Sequence, residues 1–369
     1  MSLVRRYIAL LLCAAIAHAV RAGEPAVAKA PGLARSLVVR GQGYFPVALR
    51  LQDGRIAVVL RGGAGHLWIK GRLDMVFSAD DGRTWTPPVV VNDSPVDDRN
   101  PALGQARDGT LVVGFWRTAT YDDQGKYDPK LDKPRGTWVT RSTDGGKTWS
   151  EAAAIDVTEF GWGSPFGKIV TLPDGAMLMA IYGGQRRKPG EKVLQDRNHS
   201  YIYRSTDSGQ TWKYFSEVGD RKRQLNETAL LRLASGKMLA AIRSRAGDVW
   251  LSHSTDEART WSAPQLLTPA AVHPADLIEL DSGRVLLVVG NRAGPLGVSG
   301  LISDGQQQFD WSRRFTLVDD AASSDCGYPS SVKLPGGRAL TLYYATRAKE
   351  RPEWGVHCGA VAYDVPAAQ

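Results

Sequence analysis

Arginines, carboxylates and tyrosines recur at the two ends of one repeated unit in this chain, a set of groups that could bind and transform an acidic sugar. The unit is a short apolar strand, a tight turn and a second apolar strand, with turns at Asp53-Gly54, Asp108-Gly109, Asp174-Gly175, Ser235-Gly236, Ser282-Gly283 and Gly336-Gly337. Such turns are hairpin chemistry. Just before the hairpins stand Tyr44-Phe-Pro46, Asp97-Asp-Arg-Asn-Pro101, Trp162-Gly-Ser-Pro165, Asn226-Glu227, His273-Pro-Ala-Asp276 and Asp325-Cys-Gly-Tyr328. Just after them stand Arg61, Arg117, Tyr182, Arg243 with Arg245, Asn291-Arg292 and Tyr344. A guanidinium offers a carboxylate two donors in fixed geometry. His66, in the loop after the first hairpin, is of the residue type that most often serves as general acid or base.

A second repeat explains how these residues come to one place. The octets Ser78–Trp85, Ser142–Trp149, Ser205–Trp212 and Ser254–Trp261 share the pattern Ser-x-Asp-x-Gly-x-Thr-Trp, with Ala258 replacing Gly in the last. A frayed fifth copy runs from Ser303 to Trp311. The Asp carboxylate can accept backbone N–H groups across a turn, Gly permits positive φ, and Trp packs the turn on a neighbouring core. The period of roughly 50–65 residues suits propeller blades that carry loops. In a four-stranded meander the hairpin's outer ends share one mouth of the ring, and the octets lie at the opposite mouth. Six hairpins mean six blades, with Ser36–Arg40 supplying an outer strand that closes the ring.

The octets resemble the Asp boxes, or bacterial neuraminidase repeats, of the sialidase superfamily. The resemblance implies an all-β, six-bladed β-propeller of four-stranded antiparallel blades, covering residues 23–369 as one domain. It also implies an exo-glycosidase acting on a terminal acidic sugar of a glycan. Tyr328 stands where sialidases carry a nucleophilic tyrosine, and Glu227 where they carry the carboxylate that activates it. Arg243 matches the second arginine of the family's carboxylate-binding triad, Arg292 lies close to the third, and Arg61 and Arg117 reach the same mouth. Two positions depart from the pattern. Tyr44 stands where the first triad arginine belongs, and the loop after the second strand offers His66 in place of an acid/base aspartate. Asp98, at the neighbouring rim, is the alternative acid. A uronic-acid polysaccharide lyase and a non-catalytic carbohydrate-binding propeller stay open as other uses of the scaffold.

Residues 1–22 read as a secretory leader, with Arg5 and Arg6 before an apolar run from Tyr7 to Ala17. That pattern predicts export to the periplasm or medium, without stable membrane insertion. Removing the leader lowers the formal charge from +8 to +5. The remaining positive charge is scattered, with small clusters at Arg186-Arg-Lys188 and Arg221-Lys-Arg223, so nucleic acid is not an expected partner. Cys326 and Cys358 form either a disulfide or two separate thiols. No ligand spacing points to a metal and no glycine fingerprint to a nucleotide, so no cofactor is expected and a monomer is. The long polar loops Thr118–Pro134 and Gly183–Asn198 are expected to overhang the functional mouth.

Overall fold

A computed structural model of the chain describes residues 27–131, 133–185, 198–220 and 222–367. The expected leader lies outside the described residues, as do Arg186-Arg-Lys188, Arg221 and residues 186–197 of the second long loop.

All six expected hairpins form. Their strand pairs are Tyr44–Arg50 with Ile56–Gly62, Asp97–Gln105 with Leu111–Thr118, and Gly163–Thr171 with Met177–Gly183. The others are Leu225–Arg232 with Met238–Ser244, Val272–Glu279 with Val285–Asn291, and Cys326–Leu334 with Arg338–Ala345. Two further antiparallel strands complete each meander. In the last one, the outermost strand is the N-terminal Ala34–Arg40, paired with His357–Asp364. The result is an all-β, propeller-like array of four-stranded antiparallel units whose innermost strands touch in cyclic order, Cys326–Leu334 returning to Tyr44–Arg50.

Where six separate blades were expected, the strands make four separate four-stranded sheets and one of eight. The second and third meanders share the larger sheet through a short parallel pairing, Gly167 with Ala102 and Lys168 with Leu103. Glycine makes this approach possible. A Cβ on Gly104 would stand 2.6 Å from Cβ of Ile169, and Gly167 has φ +69°.

The octets sit between third and fourth strands, opposite the hairpin ends, and all four are built alike. In the first, Ser78 Oγ donates to Asp80 Oδ1 at 2.8 Å, Thr84 N donates to the same oxygen at 2.9 Å, and Thr84 Oγ1 donates to Oδ2 at 2.6 Å. Ala258 adopts φ +68° where the other octets use glycine, and its methyl is buried in the adjoining core. Trp85 packs on the closing sheet, Trp149 on the first sheet's core and Trp261 on the third meander's, so each pins a turn to its neighbour. The fifth copy lacks this turn. Asp304 accepts from Gln306 N and Gln308 N, and Asp310 caps the short helix Trp311–Arg313.

Each innermost strand breaks register, five of them at the functional mouth. Between Tyr44 and Val47, Arg99 and Ala102, Leu225 and Thr228, Val272 and Ala275, and Gly327 and Ser330, two residues face one. In the third meander the shift falls between Phe166 and Val170. Such bulges re-aim side chains. They bring Phe45, Asn100, Asn226-Glu227, His273 and Tyr328 to corresponding positions. Pro46, Pro101, Pro274 and Pro329 hold the second bulge position in four of them, where a missing N–H breaks no ladder bond. Lys168 ties the ring beneath: its Nζ is 2.5 Å from Asp276 Oδ2 and donates to Ser331 O at 2.8 Å.

The octet bonds hold the carboxyls of Asp80 and Asp256 down at about 2, chiefly through Thr84 and Thr260. A carboxylate lowered by folding stabilises above its unfolded value and loses that contribution as the pH falls through the folded one. The melting temperature is therefore expected to drop between about pH 4 and pH 2. An Asp80→Asn/Asp256→Asn variant should melt lower at pH 7 and show a shallower acid drop.

Candidate active site

Tyr328 and Glu227, 101 residues apart in sequence, meet at the mouth of the ring, where Tyr328 Oη donates to Glu227 Oε1 at 2.6 Å. Arg243, at the end of the same hairpin as Glu227, donates from Nη1 to Glu227 Oε2 at 2.7 Å and to Tyr328 Oη at 3.3 Å. Glu227 is 3 % exposed and Tyr328 9 %. Burial, then the charge of Glu227, pushes the Tyr328 phenol well above its ordinary value. The resting group is thus a neutral phenol with its proton already on the bond to a carboxylate. Burial works against the charge of Arg243, but Glu227 and Tyr328 more than offset this and hold it cationic. Tyr328 adopts φ +48°, a conformation that costs of order 1–3 kcal/mol and that the bulge enforces.

Arg292 lies on the other side of Tyr328, its guanidinium carbon 5.3 Å from the ring centroid and its Nη2 donating to Cys326 O at 2.9 Å. Nε of Arg243 and of Arg292 are both buried without a partner. Two guanidinium groups therefore flank the phenol with donors unspent. His273 lies near both. Burial first, then the charges of Arg243 and Arg292, holds its imidazole down at about 3, so it is neutral in the physiological range.

An aromatic wall completes the mouth. Phe45 packs edge-on against Tyr328 at 4.8 Å and against His66 at 5.0 Å, and Tyr344 lies 5.7 Å from Tyr328. His66 Nδ1 is 2.8 Å from Asp325 Oδ1, which also accepts from Tyr344 Oη at 2.6 Å. Burial alone would raise the Asp325 carboxyl. The bonds from His66 and Tyr344 and the charge of Arg292 reverse that and lower it.

Of the expected site residues, the structure brings Tyr328, Glu227, Arg243 and Arg292 together, with His66 across Phe45 from them. Tyr44 joins the aromatic wall, and three others lie elsewhere. Arg61 is fully buried and gives Asp97 Oδ1 two bonds, from Nε at 2.9 Å and Nη2 at 2.7 Å. Its remaining donors bind carbonyls of the following loop, including Trp68 O at 2.9 Å, so it holds that loop and has no face for a ligand. Asp98 is fully buried, accepting from Asn92 Nδ2, Ser94 N, Ser94 Oγ and Arg117 Nε, with burial raising its carboxyl. It is not an acid at the mouth. Arg117 is spent on that same carboxylate and stacks 4.2 Å from Trp138. Tyr44 is 4 % exposed behind Phe45, its ring 5.2 Å from Tyr344; Phe45 is the residue that faces the axis.

Arg99, Tyr182 and Asp325 stood among the expected rim residues, but the sequence assigned them no role. Arg99 sits 5.7 Å from the Phe45 ring, beside Asp97 and Tyr121, and adds positive charge to the wall. Tyr182 accepts from Asn100 Nδ2 at 3.0 Å, and burial, then Glu227, pushes its phenol up to about 12. The recurring X-Pro before five of the six hairpins was the available signal that this ring of positions is special. Cys326 and Cys358 are separate buried thiols. Among the described residues no cluster of His, Cys, Asp and Glu could hold a metal ion, and no helix is long and apolar enough to cross a membrane.

Residues 74–341 match the BNR repeat-like domain, and the chain belongs to that family. Solved structures share the fold. A protein of unknown function from Dyadobacter fermentans superposes with a TM-score of 0.76 at 23 % identity, over 91 % of this chain and 100 % of that one. A Hadza microbial sialidase gives 0.66 at 18 %, over 88 % of this chain and 66 % of that one. The intramolecular trans-sialidase from Ruminococcus gnavus, in complex with oseltamivir carboxylate, gives 0.66 at 13 %, over 89 % and 97 %.

Removing one partner of a buried ion pair strands the other. Asp97→Asn is therefore expected to lower the unfolding free energy in urea by about 3–5 kcal/mol. The exposed pair of Asp53 with Arg55 offers the contrast, Asp53→Asn changing stability by at most about 1 kcal/mol.

Proposed function

We propose that this protein is an exported exo-glycosidase that removes a terminal acidic sugar, sialic acid or a close relative, from a glycan. The observation that carries the reading is the Tyr328–Glu227–Arg243 constellation, at bonding distances and flanked by Arg292. Its scaffold is read as a six-bladed ring, with the eight-stranded sheet counted as two blades, and the leader 1–22 as removed on export.

In this mechanism Arg243 and Arg292 hold the sugar's carboxylate. Tyr328 Oη attacks the anomeric carbon and passes its proton to Glu227. The anomeric carbon–oxygen bond breaks as His66 gives a proton to the leaving oxygen. A neutral phenol suits this attack because it does not repel the carboxylate beside the anomeric carbon. Asp325 on Nδ1 orients His66 so that Nε2 is the atom that exchanges the proton. In the second half His66 takes a proton from water, the hydroxyl oxygen bonds to the anomeric carbon, and Tyr328 leaves with the proton returned by Glu227. The configuration is retained by two displacements.

A second reading is favoured by one observation, the His66–Asp325 pair beside an aromatic wall where the family pattern has an arginine and an aspartate. A tyrosine, a histidine and an arginine can also abstract the C5 proton of a uronic acid and eliminate the 4-linked sugar.

Release of 4-methylumbelliferone from its N-acetylneuraminic acid glycoside tests the first reading. Wild-type protein should release it, Glu227→Gln should lose about 10²–10⁴-fold in kcat/KM, and Tyr328→Phe should lose at least as much. Wild-type protein that leaves this glycoside intact, but forms near-ultraviolet-absorbing unsaturated product from a uronic-acid polymer, would replace it with the second.

A further inference from the structure

Large apolar side chains are well exposed at few places among the described residues: Leu67, Trp68, Val90, Tyr127 and Leu266. Leu67, Trp68 and Tyr127 share one rim. Trp68 forms an antiparallel bridge with Lys126, next to Tyr127, and a Cβ on Gly125 would lie 3.5 Å from the indole. Tyr127 packs edge-on to Tyr121 at 5.8 Å. Trp68 is 45 % exposed and Leu67 47 %. Exposed aromatic surface gathered in one patch marks a contact site more often than chance exposure does.

This rim is held rigidly from below. Arg61 binds the carbonyls of Ala64, Gly65 and Trp68, fixing the backbone that carries His66, Leu67 and Trp68. Asp97, the carboxylate that balances Arg61, accepts from Tyr121 Oη with its other oxygen, so the same buried group also fixes the loop that carries Tyr127. A loop bound only for solvent needs no such anchor. Side chains held on a fixed backbone lose little freedom when a ligand arrives.

We infer that Leu67, Trp68 and Tyr127 form a second subsite, which takes the uncharged pyranose ring on the leaving-group side of the glycan by stacking on the Trp68 face. The inference rests on the glycosidase reading, because the direction of the chain follows from His66. If His66 protonates the leaving oxygen, the next sugar begins within a bond or two of its ring, and the residues that follow His66 are Leu67 and Trp68. The arginines lie at the axis around Tyr328, whereas the rim offers aromatic and aliphatic faces suited to the C–H face of a neutral sugar.

Two measurements on the full-length protein separate the two ideas. Lactose, cellobiose and chitobiose are titrated against intrinsic fluorescence in wild type, Trp68→Phe, Trp68→Ala and Tyr127→Ala. At least one disaccharide should bind wild type saturably, with Kd raised at least about tenfold, or 1.4 kcal/mol, in Trp68→Ala and largely kept in Trp68→Phe. In hydrolysis, Trp68→Ala should lower kcat/KM about tenfold for an acidic sugar linked to that disaccharide while leaving the glycosyl fluoride of the same sugar within about twofold. Equal disaccharide binding by all four proteins, or an equal loss on both substrates, would overturn the subsite. So would a rim that binds phosphatidylcholine vesicles and no disaccharide. Saturable, Trp68-dependent binding without hydrolysis of any glycoside would keep the sugar subsite and remove the enzyme reading.

Discussion

The two-for-one break in register near the start of five of the six innermost strands is the constraint on which the site depends. A regular strand would alternate its side chains between the two neighbouring units and send none toward the axis. The bulge turns one or two residues out of that alternation, and repetition around a closed ring points them at a common centre. Phe45, Asn100, Glu227, His273 and Tyr328 gather this way from five different meanders. The cost is visible in the backbone, where Phe45, Asn100 and Tyr328 hold φ values of +55°, +51° and +48°. The surrounding ladders and the octet turns at the far mouth keep those conformations in place.

Electrostatics then divides the charged residues into two populations. Around Tyr328 the guanidinium groups of Arg243 and Arg292 keep unpaired nitrogens close to a buried phenol and a single carboxylate. One wall away, Arg61 is satisfied by Asp97 and the loop carbonyls, while Arg99 pairs with Asp97 and Tyr121 and keeps its own Nε unpartnered. The first arrangement leaves positive charge unspent, as a site for an anion must. In the second, Arg61 is used up in holding backbone. Both contain arginines at hairpin ends, so residue type alone does not separate them; the location of the compensating carboxylate does.

That distinction explains what the sequence could and could not reveal. The hairpins and octets depend on local turn chemistry, with Gly at positive φ and Asp accepting nearby N–H groups, and they fold where the sequence places them. The alignment of Glu227, Arg243 and Tyr328 follows from strand ends and was legible for that reason. Arg61, Arg117 and Asp98 also lie at strand ends on the expected mouth, but adjacent residues on a strand face opposite ways, and the pair Asp97-Asp98 gives no sign of which way either points. The partnership of His66 with Asp325 spans 259 residues and rests on the closure of the ring, which no local pattern encodes. The merging of the second and third meanders likewise turns on Gly104 and Gly167, two glycines among 39.

A nucleophilic Tyr328 would form a bond to the sugar, and that bond can be trapped. Wild-type protein is incubated with a 3-fluorosialosyl fluoride, digested, and its peptides are weighed by mass spectrometry. A stoichiometric adduct is expected on the peptide containing Tyr328, absent from Tyr328→Phe and formed far more slowly by Glu227→Gln. An adduct on any other residue, or turnover of the parent glycoside by Tyr328→Phe at the wild-type rate, would contradict it.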